Sequence, residues 1–120
     1  MNLRRLAPLI AVGALACAGS TASAGPVAHA AYACPTPHYP GSGYFTSLHV
    51  SGTSCSRGGQ VAVDYYHCRI RHGGRAGTCP GGVDGYSCSE KRQSISTEID
   101  ARVSCHKGHA VINHSYQQFT

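Results

Sequence analysis

The sequence predicts an α+β fold, one helix packed on a small antiparallel sheet and stabilised by disulfides. Three observations lead there. Apolar residues recur at helical spacing between Cys55 and Arg71. Apolar and polar residues alternate strictly over residues 93–105, the period of a half-buried strand. Six of the seven cysteines lie beyond an N-terminal leader, an even set in a short chain.

Residues 1–24 have the three parts of a secretory signal peptide. Arg4 and Arg5 give the positive start, residues 6–18 are small or apolar, and Ala22-Ser23-Ala24 offers a small-residue cleavage site. Cys17 leaves with this segment. The alternative is a lipoprotein lipidated at Cys17, but Ala14-Leu15-Ala16 matches that pattern only loosely, and free secretion is the preferred reading. Cleavage also removes two arginines and no acid, lowering the net charge from +5 to +3. A balance this mild demands no nucleic-acid partner. No other apolar run is long enough to span a bilayer, so stable membrane insertion is not expected.

Residues 25–43 are rich in Ala, Pro and Gly and read as an extended arm carrying Cys34; residues 44–120 read as the domain. Residues 44–50 form a strand candidate with Leu48 and Val50 on one face. Thr53 or Ser54 can cap the helix that follows. Its apolar stripe comprises Cys55, Ala62, Tyr65, Tyr66 and Cys68, with Val61 at the margin. Gly58-Gly59 weakens the first turn unless it permits close approach to a sheet. Arg69, Arg71 and His72 suit the helix C-terminus, and Gly73-Gly74 ends it.

Residues 73–85 form a Gly-rich loop. Tyr86-Ser87-Cys88 opens a short strand, and Ser89-Glu90-Lys91-Arg92 reads as a polar turn. In the strand over residues 93–105, Ile95, Ile99 and Val103 face inward while Glu98, Asp100 and Arg102 face water. After a turn at His106-Lys107-Gly108, Ala110, Ile112, His114 and Tyr116 continue the inward face of an antiparallel partner.

The cysteines Cys34, Cys55, Cys68, Cys79, Cys88 and Cys105 form a disulfide framework. Cys55 and Cys68 cannot pair within a straight helix, because they stand roughly 20 Å apart along it. Cys68 and Cys79 flank the helix end and the loop, so their pairing is local. Cys55 is expected to reach Cys88 or Cys105, with Cys34 taking the remaining partner.

Gly52-Thr53-Ser54-Cys55, Tyr65-Tyr66-His67-Cys68, Gly85-Tyr86-Ser87-Cys88 and Arg102-Val103-Ser104-Cys105 together resemble the short exported cysteine-containing proteins of actinobacteria. Those proteins share the order G-x-S-C, helix, G-Y-x-C, x-V-x-C. The resemblance covers residues 44–116 and implies a common scaffold. The group has no established activity, so it assigns no catalytic or binding residue.

His106 and His109 flank a turn, His114 follows, and His67 and His72 sit near the helix end, but their spacing matches no standard zinc motif. No metal or other cofactor is expected. Glu98 and Asp100 share a strand face roughly 7 Å apart, within reach of an inverting glycosidase pair, yet they read more simply as solvating charges. No Gly-x-Ser-x-Gly elbow occurs. Tyr65, Tyr66, Arg69, Arg71 and Arg75 interleave aromatics and cations as base-stacking surfaces do, although export and modest charge argue against nucleic acid.

The resulting expectation is a secreted, non-enzymatic binding module with no catalytic residue. It would recognise a protein or cell-envelope surface, with Arg69, Arg71 and Arg75 as candidate binding residues. The alternatives are an inhibitor of secreted hydrolases that uses the loop over residues 73–85, or a small hydrolase.

Overall fold

Of the two candidate caps, Thr53 and Ser54, it is Ser54 that starts the helix. In the computed structural model, which describes residues 30–120 together with Gly13, Ala14 and Gly19, its hydroxyl accepts from the Arg57 N–H at 3.1 Å. Helix α1 then runs over Cys55–Arg71, and the His72 N–H closes it on the Cys68 and Arg69 carbonyls. Gly58 serves close approach: a Cβ there would stand 2.5 Å from Val50 Cγ1. The glycine that weakens the helix therefore seats it on the sheet.

Five strands form one antiparallel sheet. They are β1 (Tyr32–Ala33), β2 (Gly43–Ser51), β3 (Ser87–Ser94), β4 (Glu98–Lys107) and β5 (Ala110–Phe119), in the spatial order β1-β2-β5-β4-β3. Leu48, Val50, Ile99, Ala101, Val103, Ile112 and Tyr116 point to the inner face and are buried. Val61, Ala62 and Tyr65 of α1 are buried with them in one core. The helix covers this face alone, and the other is open to solvent.

Several expectations need correction. Ile95 is not in the core; it is 63% exposed. The alternation over residues 93–105 crosses a turn, where the Ile95 N–H donates to the Glu98 carbonyl, and β4 begins only at Glu98. Ser89-Glu90-Lys91-Arg92 is not a turn but the middle of β3. Its inward positions are Glu90 and Arg92, so the strand carries no apolar signal. The described part of the arm belongs to the domain: Tyr32 and Ala33 pair with β2, the Cys34 N–H donates to the Leu48 carbonyl, and Tyr39 is buried in the core.

Three disulfides brace the fold, with Cα separations of 5.5 Å for Cys34–Cys55, 5.3 Å for Cys68–Cys79 and 4.1 Å for Cys88–Cys105. The local pair is the expected one. The expected link from Cys55 to Cys88 or Cys105 is absent, because those two cysteines lie directly opposite one another in the β3–β4 register. Adjacent strands bring such positions to bonding distance. Cys55, at the helix start, meets the arm instead.

Candidate functional site

The helical period that buries Gly58, Ala62 and Tyr65 also buries Arg69, which is 0% exposed. Its guanidinium lies 4.0 Å from the Tyr116 ring centroid, a cation–π contact in a desolvated place. It donates to the Tyr39 hydroxyl at 2.7 Å and to the Arg75 carbonyl at 3.2 Å. Burial pushes the Tyr39 hydroxyl up to about 12, against the opposing pull of Arg69. Arg69 is thus a core residue and not part of an exposed binding surface. Its position four residues after Tyr65 on the buried stripe was the signal, and its reading as one of the cations that suit the helix C-terminus obscured it.

Glu90 anchors the neighbouring cluster. Its carboxylate accepts from the Tyr116 hydroxyl at 2.5 Å, the Tyr65 hydroxyl at 3.3 Å and Arg92 Nε at 2.5 Å. Burial, then the hydrogen bond to Glu90, raises the Tyr116 hydroxyl far above its usual range. Arg92 also donates to the Ala76 and Gly77 carbonyls at 2.9 and 2.8 Å. With Arg69 on Arg75, two inward-facing arginines hold three successive carbonyls of the loop over residues 73–85. Tyr65 and Arg69 are therefore unavailable for stacking bases, whereas the side chains of Arg71 and Arg75 remain exposed.

His114 is buried between Phe45 and Tyr65, which it meets edge to face at ring-centroid distances of 5.9 and 5.4 Å. Neither ring nitrogen has a hydrogen-bond partner among the described residues. Burial, aided by the charge of Arg69, lowers its pKa to about 3. The ring is a neutral core element. His67, His72, His106 and His109 are exposed, and among the described residues no cluster of three or more His, Cys, Asp or Glu side chains could hold a metal. Asp64 of α1 meets Asp84 of the loop; the hydrogen bond to Asp84, then burial, raises Asp64 to about 6.

The open face has a different character. Lys91 of β3 stands directly opposite Arg102 of β4, which stands opposite Ser115 of β5. A β-bulge in β2 between Phe45 and Ser47 adds one residue to the ladder. Such an insertion re-aims side chains. Thr46 and Ser47 here both place their hydroxyls 2.5 Å from that of Ser115.

Two depressions share Lys91, Arg102 and Ser115. One, of about 270 Å³, extends toward Ser47, Ser89, Ser104 and Asn113. The other, of about 550 Å³, extends toward Thr46, Gln93 and Asp100. Among the described residues the one ion pair is Arg92 with Glu90, so Lys91 and Arg102 have no acidic partner. Glu98 and Asp100 lie on this face as expected, and Glu98 accepts from the Gln117 amide. Lys91 and the hydroxyl group were missed in the sequence. Residues 87–93 are polar apart from Cys88, so no alternation marked Lys91, and a bulge leaves no signal either.

The fold and its bridges define a small disulfide-braced α+β domain with one uncovered sheet face. No protein-family model, curated protein or solved structure matches the chain.

Proposed function

We propose that the protein is an exported, non-enzymatic binding module whose recognition surface is the open face of the sheet. Export rests on the leader and agrees with three disulfides, which persist in oxidising surroundings. Among the described residues, no helix is long and apolar enough to cross a membrane. The carrying observation is that two depressions meet at Lys91, Arg102 and Ser115, where two cations have no anionic partner among the described residues. Glu90, Arg92 and the hydroxyls of Tyr65 and Tyr116 are, by contrast, occupied with one another inside. A protein or cell-envelope component fits such a face better than a small molecule, because both depressions lie on an extended sheet surface and neither is enclosed in the core.

Capture from culture medium and cell envelope with the oxidised protein tests this reading. The double reversal Lys91→Glu with Arg102→Glu is expected to abolish capture, while Arg71→Glu with Arg75→Glu leaves it intact. The opposite pattern would support the second reading, an inhibitor of secreted hydrolases acting through residues 73–85. The pinned Arg75, Ala76 and Gly77 carbonyls favour that reading, since a rigid loop loses little entropy on binding.

A further inference from the structure

Lys91 and Arg102 are cross-strand neighbours. Like charges in that position repel one another and weaken the sheet. An anion seated between them would turn the repulsion into attraction on both sides. Arginine offers such a group a planar fork of donors, and lysine a mobile point charge. Beside them stand the converging hydroxyls of Thr46, Ser47 and Ser115. Hydroxyls can donate to an oxyanion or exchange hydrogen bonds with the hydroxyls of a sugar.

The same face carries an aromatic platform. Tyr44 lies opposite Gln117, and Phe119 is two residues further along β5, so both share the outward parity of Ser115. Their rings meet edge to face at 6.1 Å and are 49% and 44% exposed. At about 3.4 Å per residue, Phe119 stands about 14 Å along β5 from Ser115. Asp100, opposite Gln117, lies between the two ends. It disfavours an acid at the middle of the face and can accept from a neutral hydroxyl there.

Resting on the reading of this face as the recognition surface, we infer that it binds an acidic polysaccharide laid along the strands. An anionic group sits between Lys91 and Arg102, and a sugar ring packs on Tyr44 and Phe119. The inference concerns carboxylated and sulfated polymers alike.

Titration calorimetry of the oxidised protein with polygalacturonate, dextran sulfate, neutral dextran and a single-stranded oligonucleotide separates the possibilities. Polygalacturonate reports a carboxylate and dextran sulfate a sulfate. Binding to at least one acidic polymer is expected to fall about tenfold or more in the Lys91→Ala, Arg102→Ala double variant. Tyr44→Ala with Phe119→Ala should lower the same affinity several-fold. Arg71→Ala with Arg75→Ala removes equal charge elsewhere and should leave it nearly unchanged. Equal losses from the two arginine- and lysine-deleting pairs would reduce the effect to net charge and overturn the inference. Tighter binding of the oligonucleotide at the same two cations would overturn the ligand class. Binding to none of the four would overturn the inference, while the capture experiment would still judge the face itself.

Discussion

The two faces of the sheet use the same residue types to opposite ends. On the inner face, Arg92 is held by Glu90 and by two loop carbonyls, and Arg69 is clamped over Tyr116. On the outer face, ten residues along the chain from Arg92, Arg102 meets a lysine and a serine and has no acidic partner among the described residues. Strand parity alone separates these fates, since Lys91 and Arg92 are adjacent in sequence. Charge inside this protein organises structure, and charge outside it is left available. A cation's neighbours on its own face, more than its presence in the sequence, indicate what it can do.

The comparison can be broken most severely by reduction. A native disulfide contributes about 2–4 kcal/mol, and three together rival the net stability of so small a domain. Loss of the near-UV circular dichroism signal on adding reductant is expected at physiological temperature; an unchanged spectrum would place the stability in the core instead. The next largest effect is within the core. Ile99→Ala should cost about 2–5 kcal/mol in denaturant unfolding, whereas Ile95→Ala, on the exposed turn, should cost less than about 0.5 kcal/mol. Comparable losses would contradict the observed register.

The charged groups give a sharper contrast. Glu90→Ala leaves Arg92 inward-facing without its counter-charge, and a loss of about 3 kcal/mol is expected. Arg102→Ala should change stability by no more than about 0.5 kcal/mol, and relief of the repulsion from Lys91 could make it slightly stabilising. Matching urea midpoints for these two variants would erase the distinction between the faces.

A pH titration sharpens it further. His114 has a folded pKa of about 3, below the ordinary histidine value of 6.5. Folding therefore favours its neutral form: the stability is fully present above 6.5 and is lost as pH falls toward 3, by at most about 1.4 kcal/mol per pH unit. Asp64 acts in the opposite sense. Its folded value of about 6 lies above the ordinary 3.8, so its contribution is full below 3.8 and is lost as pH rises through 6. Comparing wild type with His114→Gln isolates the histidine, and parallel stability–pH curves for the two would show that His114 does not govern acid sensitivity.

Much of this architecture was legible. The Ser54 cap, the Cys55–Arg71 helix and the inward row of Ile99, Val103 and Ile112 follow from local chemistry and periodicity. Gly58-Gly59 offered either a weak first turn or a close approach to the sheet, and Gly58 makes the close approach. What was not legible depends on partners distant in sequence. Residues 89–92 of β3 read as a turn in the sequence because the inward residues, Glu90 and Arg92, are satisfied by Tyr65, Tyr116 and the loop, none of which is local. Ile95 continued an alternation that the chain breaks with a turn. The pairing of Lys91 with Arg102 beside the Thr46, Ser47 and Ser115 hydroxyls required the strand register and the β2 bulge, and neither is written in periodicity.

The disulfide map has a consequence for how the chain acquires its shape. The three bridges span 21, 11 and 17 residues, and each joins cysteines that are consecutive along the described chain, without nesting or crossing. A chain emerging amino-terminus first presents Cys34 and Cys55 before Cys68 appears, and completes each later pair in the same order. Once Cys17 has left with the proposed leader, an oxidant that simply joins successive thiols as they arrive would produce the native connectivity. Correct oxidation of this protein therefore requires no reshuffling of mispaired intermediates, and its yield should depend on the supply of oxidant more than on the supply of an isomerase.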